Sequence, residues 1–338
     1  MEEKENVKKN NPVYSEIAYD DAFRTMEGRC DDLVISFVSH MFGENYGKDA
    51  VIKRLWNEHF VEHMDGSEEK RVTDSSFEII YREISKRYHI ECESLKYDGT
   101  ILVRIFEYGS QIAKNSAEET ISSLKVSFPN SGLLLLRGSD KASDKANIEI
   151  TVPGGKTVSY DVPIVKMSDY TVEDIFREKL YMLIPFYIFN YENQLPEIDK
   201  SEDAINKLFD EYNYIFNRLK KELEMGSLSA LSYSAIIKLT HSVAYKLTMK
   251  QDNVQKKVGD FMGGKIIDLP EFQIFDQGVE KGKAESEEEG IRIFIEDKVE
   301  DSFSEEDIIA KLQKHYKLSK EKAKEYYDMY SGKLAVTK

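Results

Sequence analysis

Two cysteines in 338 residues, Cys30 and Cys92, are too few for a disulfide framework. They also lie too far apart for a C-x-x-C metal site or redox pair, so a reducing cytoplasm is the expected compartment. No apolar stretch approaches the ~20 residues that a membrane span needs. The longest, Tyr181–Phe189, is interrupted by Pro185. Met1–Asn11 is charged and polar, with no apolar segment behind it of the kind a secretion signal carries. Positive charge is also scarce: 47 Lys and Arg stand against 62 Asp and Glu, a net charge of −15. That argues against broad affinity for nucleic acid, because phosphate backbones recruit cations. It leaves room for a local basic groove, or for carboxylates that hold a metal. The G-x-x-x-x-G-K-[ST] and G-x-G-x-x-G phosphate loops and the G-x-S-x-G nucleophile turn are absent as well.

What is present is a globular composition, with 41% hydrophobic and 32% charged residues, and a length that suggests about two domains. After a polar lead-in over 1–18, the spacing of Phe23, Met26, Leu33, Phe37 and Met41 predicts a helix from Asp20 to about Phe42, ended by Gly43. Partial alternation predicts a strand over Lys70–Tyr81. A second is expected over Ile84–Leu95, with the turn near Arg82–Lys86. Asp98-Gly99 is a turn signal. A helix is then expected from about Thr100 to Leu124, with Leu102, Ile105, Phe106, Ile112 and Ala113 on one face. Leu133–Leu136 has the character of a buried strand. Ile148–Val152 and Thr157–Val165 flank Pro153-Gly154-Gly155 as a hairpin. The expected fold class is therefore α/β: an α-β-β-α-β core with an added hairpin, ending near residue 168. A helical region follows over 169–277, including Asp169–Phe189, Ser201–Met225 and Leu228–Met249. The glycine-spaced charged stretch 278–292 reads as a linker. A small helical tail, 293–338, carries N-cap signals at Ser304 and Ser319.

The segment Val72–Tyr108 carries the chemistry. On a strand, residues two apart share a face. Glu91 and Glu93 therefore point one way, with His89, while Tyr88, Ile90 and Cys92 point into apolar packing. Asp74, on the preceding strand, could complete a three-carboxylate cluster. Hard divalent cations take one or two protein carboxylates and fill their shell with water and phosphate oxygens. A metal so held activates water against a phosphodiester. The plainer alternative is that Glu91 and Glu93 form the solvent face of an amphipathic strand.

Several strings, taken in order, resemble one family. They are Tyr19-Asp20-Asp21-Ala22-Phe23-Arg24, Thr73-Asp74-Ser75-Ser76-Phe77, His89-Ile90-Glu91-Cys92-Glu93-Ser94, Arg104-Ile105-Phe106-Glu107-Tyr108, Leu183-Ile184-Pro185-Phe186-Tyr187, and the stretch Gly278–Gly290. The family is the Rpn-type recombination-promoting nucleases, or transposase-like proteins, of the PD-(D/E)XK nuclease superfamily. The resemblance spans about residues 19–290. It implies a nuclease-like domain over 19–168, a mixed sheet flanked by helices. It also implies a metal-dependent DNA endonuclease using Mg²⁺ or Mn²⁺, a role in recombination or mobile elements, and DNA as partner. A homodimer is the family-based expectation for cutting two strands. Asp74 and Glu91 take the places of the motif's metal ligands.

Glu93 stands where the motif has Lys or, in much of the family, Gln. A glutamate cannot donate the positive charge that positions water and stabilises the transition state. It can act as a further ligand or a base. It can also mark a catalytically impaired module that kept the fold and binds DNA or protein. Arg104, with Lys96 behind it, is the basic group placed to contact phosphate; its alternative role is an ion pair with Glu107 or a sheet carboxylate. Asp21 is a lesser candidate for assisting the metal, with first-turn charge as its plain role. His89 could shuttle protons, or serve structure. His59 and His63, four apart, are a weak metal pair. The aromatic run Tyr181–Tyr191 could stack on bases, but its density fits core packing better.

Overall fold

The computed structural model describes residues 19–47, 49–55, 58–62, 68–72, 75–138, 142–263, 288, 290–299 and 303–331, with the backbone alone at 20, 58–62, 68–72 and 262–263. Contacts divide the chain into two units: 1–54 with 74–275, and 55–73 with 276–338.

The first unit opens with two helices, α1 (Tyr19–Arg29) and α2 (Asp31–Phe42). They replace the single helix expected over this span. The break falls at Cys30, whose backbone leaves the helical region (φ −116°, ψ 76°). Gly43 ends α2 as the sequence predicts, in the left-handed conformation (φ 65°) that glycine adopts without penalty.

The chain then enters a six-stranded sheet of order β1-β4-β5-β8-β10-β9. Its members are β1 (Val51–Arg54), β4 (Ser75–Tyr81), β5 (Ile84–Glu93), β8 (Asn130–Leu135), β9 (Lys145–Val152) and β10 (Lys156–Lys166). β1, β4 and β5 run antiparallel in turn. Helix α3 (Ile101–Asn115) carries the chain across so that β8 lies parallel to β5. β10 is parallel to β8, and β9 pairs antiparallel with β10 as the edge. The fold class is thus mixed α/β, with helices flanking the sheet.

Three strands of this sheet precede the crossover helix, not two. The added one, β1, has four residues, too few for alternation to register. The strand expected over Lys70–Tyr81 is two strands. Its first part belongs to a hairpin of β2 (Glu58–Glu62) and β3 (Glu68–Val72) in the second unit. Helix α3 stops at Asn115, nine residues short of the expected end. The small hairpin β6 (Glu118–Thr120) and β7 (Ser123–Lys125) follows it.

Each sheet face is covered for a reason visible in the strands. β8 and the residue after it read Gly132-Leu-Leu-Leu-Leu136, and all four leucines are buried. Leu133 and Leu135 pack with Ile101 and Ile105 of α3. Tyr88 of β5 meets Phe42 of α2 on the opposite face, ring centroids 4.9 Å apart. Gly132 permits this second contact: a Cβ there would lie 2.3 Å from the Met41 sulfur and 3.0 Å from the Phe42 ring.

The helical region follows the sheet as α4 (Val172–Arg177), α5 (Leu195–Ile198), α6 (Glu202–Glu224), α7 (Ala230–Leu247) and α8 (Asp252–Gly263). Thr171 and Asp174 close a capping box on α4. Tyr181–Gln194 forms 3₁₀ turns instead of the expected α-helix. Pro185 withholds a donor there. Tyr181 through Phe189 are all buried, so no amphipathic stripe selects the 3.6-residue period. Helix α7 packs on this segment and on α1.

In the second unit a helix over 290–299, α10 (Glu305–Tyr316) and α11 (Lys320–Ser331) bury a core of Ile291, Ile295, Ile308, Leu312 and Ala323. The helix over 290–299 is α9. Ser304 and Ser319 accept hydrogen bonds from the backbones of Asp307 and Lys322, so both cap signals hold. Among the described residues no helix is long and apolar enough to cross a membrane.

Candidate functional site

The β5 strand and the α3 helix build the site between them. Along β5, Tyr88, Ile90 and Cys92 are buried on the α2 face, as period two predicts. His89, Glu91 and Glu93 occupy the other face, under α3. The parallel register sets Glu91 beside Leu133 and Glu93 beside Leu135. On α3, Ile101, Arg104, Ile105 and Tyr108 fall at the spacing of one helical stripe. Arg104 is the charged member of an otherwise buried row.

These residues form a continuous polar chain. Ser131 Oγ lies 3.4 Å from His89 Nδ1, and His89 Nε2 lies 3.0 Å from Glu91 Oε1. Arg104 Nε donates to Glu91 Oε2 at 2.8 Å, and its Nη2 stands 3.8 Å from Glu93 Oε2. Glu91 is 1% exposed, whereas the Glu93 side chain is 15% and that of Arg104 40% exposed. A buried carboxylate survives only with hydrogen-bonded or charged partners, and Glu91 has both. The alternative of a plain solvent-facing strand is therefore corrected for Glu91: α3 roofs that face and Arg104 supplies the counter-charge. Glu93 sits at the rim, where its Oε1 accepts from the Leu95 backbone at 2.7 Å. The ring edge of Tyr108 closes the inner end against His89, centroids 5.9 Å apart.

Asp74 lies outside the described residues. The next residue, Ser75, pairs with Ile90, and Ser76 pairs with His89. Ser76 is fully buried on the same face as His89, and its hydroxyl has no hydrogen-bond partner among the described residues. Of the other candidates, Arg104 takes the sheet-carboxylate pairing. Lys96 is exposed on the loop after β5. Asp21 pairs with Arg24 on α1 at 2.5 Å. His63 and the side chain of His59 lie outside the described residues. The aromatic run 181–189 is core.

One buried acid lies outside these expectations. Glu27 continues the buried stripe of α1 with Phe23 and Met26 and is 3% exposed. Arg54, at the end of β1, approaches its carboxylate to 3.8 Å and donates to its backbone carbonyl. Burial outweighs that cation and pushes the Glu27 carboxyl up to about 7. A charged residue inside an apolar i, i+3, i+4 stripe was the signal that could have marked it.

Glu91 and Glu93 are the hard oxygen donors that a divalent cation takes. Among the described residues no group of three acids, histidines or cysteines is gathered to hold one. Comparison with protein-family models, curated proteins and solved structures returns no match for the chain.

Proposed function

We propose that the chain is a metal-dependent DNA endonuclease of the Rpn type, with the first unit as a PD-(D/E)XK-like nuclease domain. One observation carries this reading: a fully buried carboxylate, Glu91, on a central strand, with Glu93 at the rim and a half-exposed arginine across both. A strand face that only needed packing would hold apolar residues there. Charged groups kept in a partly dry site are costly, and such groups concentrate where chemistry is done. The run of elements also supports it, since β1, β4 and β5 precede a crossover helix that brings β8 parallel to β5.

In this reading Glu91, with Asp74, would hold Mg²⁺ or Mn²⁺, and Glu93 would join as a further ligand or accept a proton from water. The ion supplies water activation and charge neutralisation. His89, fixed between Ser131 and Glu91, orients the Glu91 carboxylate. Arg104 presents its guanidinium to the phosphate; its planar fork suits two phosphate oxygens. The biological setting proposed with it is recombination or mobile-element DNA.

A second reading is a nuclease-fold module that binds DNA or protein without cutting. It is favoured by one specific observation: both Glu91 oxygens already have protein partners, one of them a cation. Plasmid nicking by the purified chain with Mg²⁺ or Mn²⁺ separates the two. The endonuclease reading expects nicking that needs metal and disappears in Asp74→Ala and Glu91→Ala. No nicking by wild type, or nicking that both substitutions leave intact, overturns it.

A further inference from the structure

The last strand of the sheet, β9, is eight residues long and pairs, among the described residues, only with β10. Apart from the charges of Lys145 and Glu149, it lacks the usual protection of an edge. The ladder to β10 runs through eight consecutive pairs without a bulge, and no proline falls inside the strand. Native edges are usually shortened, bulged or studded with charge because unpaired strands recruit other strands. The opposite edge, β1, has only four residues.

The strand's two faces differ sharply. Ala146, Ile148 and Ile150 lie half-buried on the α3 side, continued by Tyr160 and Val158 across the ladder. The Phe128 ring lies 6.0 Å from that of Tyr160, and Phe106 stacks on Phe128 at 6.0 Å. This apolar shelf runs out at the turn end of the β9–β10 hairpin, with Val158 of β10 62% and Val152 of β9 40% exposed. The opposite face carries Lys145, Asn147, Glu149 and Thr151, all exposed.

The free hydrogen-bonding groups can be assigned. The Ile164 amide donates to the Asp144 carbonyl at 2.8 Å, which turns the even-numbered residues of this strand toward β10. Backbone groups alternate in an antiparallel ladder, so Lys145, Asn147, Glu149 and Thr151 direct their N–H and C=O groups outward.

We propose that β9 is the seam of a symmetric dimer, in which its free edge pairs antiparallel with that of a second copy about a two-fold axis through Ile148. Four registers keep like face to like face and pair at least five residues of the strand; the one about Asn147 sets Lys145 against the partner's Glu149 but pairs only 145–149. An axis through Glu149 sets two carboxylates directly opposite, which costs energy. An axis through Ile150 pairs only 148–152 and then brings Asn147 against a proline. The axis through Ile148 pairs 144–152 in full. It sets Ile148 against its own copy and Ala146 against Ile150 on the apolar face. On the polar face it sets Asn147 against the partner's Glu149 and Lys145 against the partner's Thr151. No like charges meet, and about eight new backbone hydrogen bonds form, two for each outward-facing pair. The interface is isologous, as a two-fold requires, and the sheet continues through both copies.

The register gives a sharp test. Directly opposed residues in a non-hydrogen-bonded pair have Cα atoms about 4.5 Å apart, within disulfide reach. In the full-length chain, Ile148→Cys is expected to give a disulfide-linked dimer under mild oxidation. Thr151→Cys, whose copy would lie about 20 Å away along the strand, is not. Both native cysteines are buried and stay out of the reaction. Sedimentation of the wild type should show a dimer. Glu149→Pro removes one outward N–H without touching the β10 ladder and should give a monomer with an unchanged circular dichroism spectrum. A monomeric wild type, or cross-linking of Thr151→Cys as fast as Ile148→Cys, overturns the proposal even if Glu149→Pro fails to fold.

Discussion

Glu27 is where one side chain sets a pH dependence for the first unit. Its carboxyl titrates near 7 in the folded chain against 4.5 for the ordinary group. The folded state therefore holds its proton across a window in which the unfolded state has released it. Unfolded chains then bind fewer protons, so stability falls as pH rises from about 4.5 through about 7. The difference of about 2.5 pH units sets an upper bound of about 3 kcal/mol. Glu27→Gln should flatten this slope: urea midpoints at pH 4 would match the wild type, and the midpoint at pH 8 would be higher. A pH profile unchanged by the substitution would assign the slope elsewhere. Arg104 gives a second residue-level expectation. Arg104→Met removes a counter-charge from buried Glu91 and should cost about 1–3 kcal/mol, less than for a fully buried pair because the guanidinium is 40% exposed. Glu91→Gln in the same chain should restore much of the loss, since the two are in contact and their effects do not add. Urea denaturation of the four variants of the cycle measures it.

Among the elements, the β8 strand and the tail helices make contrasting cases. Gly132→Ala pushes a methyl group against Met41 and Phe42 of α2. It should destabilise the first unit by about 1–3 kcal/mol, as overpacking does, seen as a lower urea midpoint. In the tail, Lys317 holds the left-handed conformation at the end of α10 (φ 53°). Lys317→Gly should raise the thermal midpoint of the second unit's transition, worth about 1 kcal/mol, because glycine adopts that conformation without strain.

These elements also show how much the sequence discloses. Period two was enough to turn Cys92 inward and to group Glu91 with Glu93. Serine caps and the Pro153-Gly154-Gly155 turn placed the tail helices and the β9–β10 hairpin. The burial of Glu91 was not legible, because its cover comes from an arginine thirteen residues on, across a helix. Nor was β1, whose four residues gain their strand character only by pairing with Phe77–Ile80. The 3₁₀ run fails for the opposite reason: every residue from Tyr181 to Phe189 is buried, so no period is left to read there.

At the scale of the whole molecule, the net charge of −15 describes the chain poorly as a nucleic-acid partner. Glu280, Glu285, Glu287, Glu288 and Glu289 cluster in one short stretch, and Glu91 is already neutralised by Arg104. If the nuclease reading is right, DNA affinity should be weak without metal and fall steeply with salt. The slope of log affinity against log salt should lessen in Arg104→Met by about one phosphate contact.

The division into units has a consequence for how the chain is made. The first unit is interrupted after Arg54 by the β2–β3 hairpin, and its sheet resumes at Ser75. The hairpin shares its unit with residues 276–338, so that unit's two pieces are separated by about 200 residues of the other. During synthesis at about 5–20 residues per second, the hairpin emerges early and waits for tens of seconds before its partners exist. The sheet between them can meanwhile complete itself. Translation order thus favours folding of the inner unit first and closure of the outer one last.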